Sequence, residues 1–182
     1  MKVQNLNASS RKTRNLIKEA FVELLQEKKE LGNITVTELV KRADITRSSF
    51  YTHYDNIYDV AQELQDETLA VLMEDTEDLH SIQDVYNYID KITCYLKEHE
   101  DIYSKILSSD EPLIFAERLT KLITKKLYDT FKNNQQNDLL LNVTFFTEGS
   151  IILIIKHFKK EFDYSLDDIN KYMKRLFKKI FL

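Results

Sequence analysis

A chain of 182 residues, 43% hydrophobic and 31% charged, is long enough to bury one substantial core, or a small head that shares a core with a larger body. Two glycines, one proline and one cysteine exclude an intramolecular disulfide framework and leave little of the punctuation that sheets and turns use, so long helices are expected. The net charge of −4 looks unsuited to nucleic acid but is unevenly spread: residues 1–57 hold ten Lys or Arg against seven Asp or Glu, and the rest sixteen against twenty-three. A mildly basic head on an acidic body can be steered toward phosphate.

From Ser10 onward, Ile17, Ala20, Phe21, Leu24 and Leu25 recur at helical spacing. They predict an amphipathic first helix that ends before Gly32, glycine being favoured just past a helix terminus. Thr35-Val36-Thr37-Glu38 fits a capping box and predicts a short second helix to about Ala43. Asp44-Ile45-Thr46 reads as a turn, with Asp44 tolerant of left-handed backbone and Thr46 able to cap a third helix over 47–54. Asp55 is expected to cap a long fourth helix carrying Val60, Leu64, Leu69 and Leu72. Helical patterns resume over about 82–96, 102–107, 113–131, 139–162 and 166–182, with a polar loop at 132–138. Asp75, Glu77 and Asp78 read as a solvated helix end, and Lys156, Lys159 and Lys160 as a solvated face. The expected fold is all-α, with about nine helices, a head at 1–57 and a body at 58–182. The apolar run 151–155 is far short of the ~20 residues of a membrane span, and no secretory signal is evident. The cytosol is therefore the expected compartment.

Two short helices joined by a three-residue turn let the first brace across a DNA backbone while the second enters the major groove. Leu39, Val40, Ala43, Ile45, Phe50 and Tyr54 would lock this unit onto the first helix. Thr37, Thr46, Arg47, Ser48, Ser49, Tyr51, Thr52 and His53 would then lie outside, an almost unbroken set of hydrogen-bond donors.

From Ile34-Thr35-Val36 through Ala43-Asp44-Ile45-Thr46-Arg47-Ser48-Ser49-Phe50-Tyr51-Thr52-His53-Tyr54, the chain resembles the TetR family of bacterial regulators. Glu148-Gly149-Ser150-Ile151-Ile152, Lys156-His157-Phe158 and Tyr164-Ser165-Leu166 are similar to a subgroup that includes dihydroxyacetone-kinase activators. The resemblance implies that Thr37, Arg47 and Ser48 face base edges, with Arg47 suited to bidentate contact with guanine. It places Thr35, Thr46, Ser49, Tyr51, Thr52 and His53 near phosphates. Two positions depart from the family pattern. Its usual turn glycine is Asp44 here, and the usual lysine opening the fourth helix is Ile57, which removes one expected phosphate contact. Lys2, Arg11, Lys12 and Arg14, in an N-terminal extension expected to be flexible, can compensate.

Leu166, Ile169, Met173, Leu176 and Ile180 form a stripe on the last helix, while 151–155 is apolar all round and must be covered. A dimer interface through Gly149, Ile152, Leu166, Ile169, Met173 and Leu176 would cover it, and the resemblance implies a four-helix bundle with a second copy; packing within one subunit is the alternative. Twofold symmetry would require an inverted-repeat operator on double-stranded DNA. Tyr86, Tyr95, Tyr103, Phe115 and Phe145, with Tyr88 and Phe146, are candidates to line a pocket for a small-molecule effector.

No cofactor, metal site or catalytic residue is expected. His53, His80, His99 and His157 lack ligand spacing, and Cys94 has no motif around it. The resulting reading is a sequence-specific, ligand-responsive repressor acting as a homodimer. The alternative is a helical adaptor or co-regulator, including an activator, of the same fold with weak or no autonomous DNA binding. A helical enzyme ranks behind both.

Overall fold

The computed structural model describes residues 2–73, 79, 81–110, 112–133 and 138–181, apart from the side chains of 2–7 and 72–73. The side chains of Lys2 and Leu72, together with Asp75, Glu77, Asp78, His80 and most of the 132–138 loop, lie outside the described residues. Within them the chain is all-helical: α1 (Lys2–Lys28), a 3-10 turn (Leu31–Asn33), α2 (Val36–Arg42), α3 (Arg47–Tyr51), α4 (Ile57–Met73), α5 (Ile82–Glu98), α6 (Glu100–Leu107), α7 (Pro112–Phe131), α8 (Leu139–Phe158) and α9 (Leu166–Phe181).

Several boundaries depart from the sequence reading for local reasons. Helix α1 begins at Lys2, not Ser10, because residues 2–9 contain no glycine or proline to stop it. The basic N-terminal residues are therefore helical rather than a flexible arm, and Arg14 lies 3.7 Å from Glu63 of α4. Lys29, at φ 68°, supplies the left-handed terminus expected of Gly32. Its carbonyl accepts a bond from the Asp110 N–H at 2.9 Å, tying the end of α1 to the turn before α7. Asn56, not Asp55, caps α4: its Oδ1 accepts from the N–H groups of Tyr58 (2.8 Å) and Asp59 (3.2 Å), and Asp59 returns the bond to the N–H of Asn56. Helix α8 stops at Phe158 because Lys160 turns left-handed, at φ 55°.

Two apolar clusters hold the helices together. The upper one joins Phe21, Leu25, Leu39, Phe50 and Val60 to Leu107, Ile155 and Leu166, so the N-terminal helices share a core with the body. The lower one is built on Phe131, Phe146, Phe177 and Phe181, with Phe177 and Phe181 stacked at 4.5 Å. Each fully buried aromatic contributes about 1.5–3 kcal/mol by transfer alone. Asn170 links α9 to α5 through the buried layer, donating to Thr93 Oγ1 and Asp90 Oδ1, both at 2.9 Å.

Helix α8, mean hydropathy 1.6, is long and apolar enough to cross a membrane by composition, beyond the short run that the sequence brought to notice. Here it packs against α7 and α9, burying Val143, Phe146, Thr147, Ile155 and Phe158.

Candidate nucleic-acid interface

The sequence from Thr35 to Tyr54 builds a rigid corner. Thr35 accepts from the Glu38 N–H at 3.2 Å while the Glu38 carboxylate accepts from the Thr35 N–H at 3.2 Å, the reciprocal cap that starts α2. Asp44 takes φ 51° in the turn, a conformation in which its short polar side chain is tolerated. Thr46 then accepts from the Ser49 N–H at 3.1 Å and starts α3. Underneath, Leu39, Ala43, Phe50 and Tyr54 are buried, while Ile45 is only half-buried, since the turn lifts it to the rim of the cluster. Arg42 grips Glu27 with two 2.9 Å bonds and Glu23 with one at 3.1 Å, which fixes α2 against α1. Lys28 meets Glu38 at 2.7 Å and, with Thr35, holds the Glu38 carboxyl down to about 2. Burial, then the nearby Glu63 carboxylate, raises the Tyr54 hydroxyl far above its usual range, so it stays protonated.

On the outer edge Thr37, Arg47, Ser48 and Tyr51 are exposed side by side. Arg47 Nη1 donates to Thr37 Oγ1 at 3.1 Å, Nη2 makes a longer contact of 3.4 Å with Tyr51 Oη, and the guanidinium lies 6.0 Å from the Tyr51 ring centre. Nε–H and one proton on each Nη remain available as donors. Two expected phosphate donors are otherwise engaged: Thr35 gives its hydroxyl proton to Glu38 at 2.9 Å, and Thr52 gives its own to the Ser48 carbonyl at 2.9 Å. Thr46 only accepts in its cap, so its proton is available, and Ser49 and His53 are half-buried beside it. Ile57, expected to mark a lost surface contact, is 6% exposed and belongs to the core. Its neighbour Tyr58, 62% exposed at the entrance to α4, is the outward residue that sequence reasoning missed. The available signal was its place two residues after a capping asparagine.

In the body, Leu166, Ile169 and Met173 are buried inside the subunit and are unavailable to a partner, because α9 turns its apolar stripe onto α5 and α8. Leu176 is half-buried. Leu141, Phe145, Gly149 and Ile152, spaced four, four and three residues apart, share the outer face of α8. Leu141 and Phe145 are 67% and 69% exposed, and Tyr172 of α9 is exposed as well. A methyl added at Gly149 would meet nothing within 4 Å in the subunit.

A cavity of about 110 Å³ lies between α4, α5, α6, α7, α8 and α9. Of the seven aromatic residues proposed for it, Tyr88, Tyr103, Phe115 and Phe146 line it, and Tyr86, Tyr95 and Phe145 do not. Tyr86 packs on Phe177 at 6.3 Å under Lys174, Tyr95 stands 5.7 Å behind Tyr103, and Phe145 points out of the subunit while adjacent Phe146 points in. Polar wall residues that went unread include Gln65 and Thr68 on α4 and Thr147 and Ser150 on α8.

Residues 83–179, more than half of the protein, match the family model of the TetR-type transcriptional regulator C-terminal region. The chain belongs to the TetR family. Among its relatives, an HTH-type transcriptional regulator of Bacillus subtilis, YxbF, is 29% identical over 35% of this chain and 17% of its own. The dhaKLM operon transcriptional activator DhaS of Lactococcus lactis is 26% identical over 67% of this chain and 64% of its own. The matches thus span less than two thirds of either relative. A TetR regulator from Streptococcus agalactiae superimposes with a TM-score of 0.66 at 22% identity, covering 96% of this chain and 98% of that one. The DhaS structure gives 0.54 at 15% identity over 92% and 93%. The matched family region and the relatives are those of transcriptional regulators, and the structural likeness shows that this TetR-family chain has their fold.

Proposed function

We propose that this regulator binds an inverted-repeat operator as a homodimer and acts in the cytoplasm as a ligand-responsive repressor, with residues 1–57 reading DNA and 58–182 dimerising and sensing. The observation that carries the reading is the Thr37–Arg47–Tyr51 cluster, a guanidinium held ready on the exposed edge of a braced helix-turn-helix. In this reading Arg47, Thr37 and Ser48 meet base edges, while Thr46, Ser49, Tyr51 and His53 meet phosphates and fix register. The outer face of α8, with Tyr172 and Leu176 of α9, joins two copies so that their α3 helices meet successive major grooves about 34 Å apart. Helix α4 runs from the head core at Val60 to the cavity wall at Leu64, Gln65 and Thr68. An effector preferring the arrangement with mis-spaced heads would release DNA, to the extent of its differential affinity.

Binding selection from a random-sequence duplex pool at near-physiological salt tests this. Recovery of an inverted repeat is expected. Recovery of nothing above background, from folded and dimeric protein, would sink it in favour of the adaptor reading. Because the Lactococcus relative is named an activator, the sign of regulation is read separately, from a reporter driven by the recovered operator: expression should rise when the regulator is deleted.

A further inference from the structure

Thr147 is 2% exposed, lines the cavity, and its hydroxyl has no hydrogen-bond partner. Several other buried or half-buried helical hydroxyls turn back to the carbonyl four residues earlier: Thr68 to Leu64, Thr93 to Ile89, Thr120 to Ala116 and Ser150 to Phe146, all within 2.8 Å. Thr147 does not make that bond to Val143, and its buried oxygen can meet an occupant of the cavity only by rotating about χ1. The remaining polar wall is largely spoken for. Thr68 also meets the Tyr103 hydroxyl at 2.5 Å, and Gln65 donates to the Ile114 carbonyl at 2.9 Å. Among the described residues the lining holds no charged side chain. A charged ligand would therefore be stripped of water without a counter-ion.

We infer that the cavity binds a small neutral molecule, a single ring or short branched chain carrying one hydroxyl or carbonyl, which Thr147 selects by a direct hydrogen bond. The inference rests on reading the body as the sensing part of the regulator. A cavity of about 150 Å³ accepts benzene, so roughly 110 Å³ makes one six-membered ring the upper limit of the occupant. A hydroxyl left bare by the wrong ligand is what makes such a site selective.

The test titrates the full chain with phenol, benzene and benzoate, following side-chain methyl resonances such as those of Ile154 and Leu127 by NMR. Phenol and benzene should both bind, phenol about five- to tenfold more tightly, the value of one neutral hydrogen bond; benzoate should not. Thr147→Val should bring phenol and benzene within twofold of each other and, by removing a buried unpartnered hydroxyl, should raise Tm; Thr147→Ser should keep the phenol preference. Equal binding of benzoate, a phenol preference that survives Thr147→Val, or no binding of either neutral probe would overturn the inference. The operator affinity of the same samples separates it from the reading beneath: the Thr147 signature without any change in operator affinity upholds the site and refutes the effector role.

Discussion

Arg47 and Tyr51 touch each other, yet they should fail differently when changed. Arg47 carries the only charge in its cluster and presents a planar fork, so Arg47→Ala should cost about 1–3 kcal/mol on a cognate site, relax discrimination there and leave the dimer intact. Tyr51→Phe removes a neutral hydroxyl, so it should weaken all duplexes alike without changing the slope of affinity against salt, since no counterion release depends on it. Anisotropy titrations on cognate and scrambled duplexes at several salt concentrations resolve the two. If Arg47→Ala binds both duplexes as the unmodified protein does, the base-reading role is wrong. Thr35 and Thr52 belong to the opposite class. Residue type marked them as donors, but only folded geometry shows their protons committed to Glu38 and to the Ser48 carbonyl.

At the scale of elements, α2 and α3 are too short to persist alone and rely on caps and on the buried face beneath them. Thr35→Ala should lower stability by about 0.5–2 kcal/mol, the usual worth of an N-cap, measured by chemical denaturation. The Glu38 carboxyl is held at about 2 against an ordinary value near 4.5 by the Lys28 ammonium and then Thr35. A carboxyl depressed on folding stabilises above its unfolded value and loses that contribution as pH falls toward the folded one. The difference in urea midpoint between the unmodified protein and Glu38→Gln should accordingly be full at pH 6 and shrink between pH 4.5 and 2; a difference independent of pH would mean that neither the Lys28 pairing nor the Thr35 bonds favour the charged carboxylate. The capping boxes at Thr35 and Ser81 show why such starts are predictable, since both partners lie within four consecutive residues. The end of α1 shows the converse: nothing local distinguishes Lys29 from Lys28, and the left-handed turn falls where the carbonyl of Lys29 reaches Asp110.

For the whole molecule, the outer face of α8 separates folding from assembly. Phe145 is 69% exposed in the subunit, so Phe145→Glu should leave the helical content intact while sedimentation reports monomers and operator affinity falls sharply. Unchanged mass would move the interface elsewhere. Gly149→Ala offers a finer probe. The subunit has room for the methyl, and alanine is favoured over glycine in a helix interior by about 0.5–1 kcal/mol. A weaker dimer with a more stable fold is the result expected if a second helix backbone crosses there, and a dimer at least as strong as before would rule that crossing out.

The sequence by itself determined the all-helical class, the helix-turn-helix, its left-handed Asp44 turn and its caps, because each depends on spacing within a few residues. Periodicity also identified apolar stripes, including that of α9. It did not say what each stripe faces. Leu166, Ile169 and Met173 read as an interface and proved to be core, whereas Phe145 read as pocket and proved to be surface. An amphipathic pattern records that a face must be covered, and the same burial energy is gained whichever surface covers it. Only the tertiary arrangement, by setting α9 on α5 and α8 and closing six helices around the cavity, decided which faces meet inside the chain and which stay exposed on the subunit.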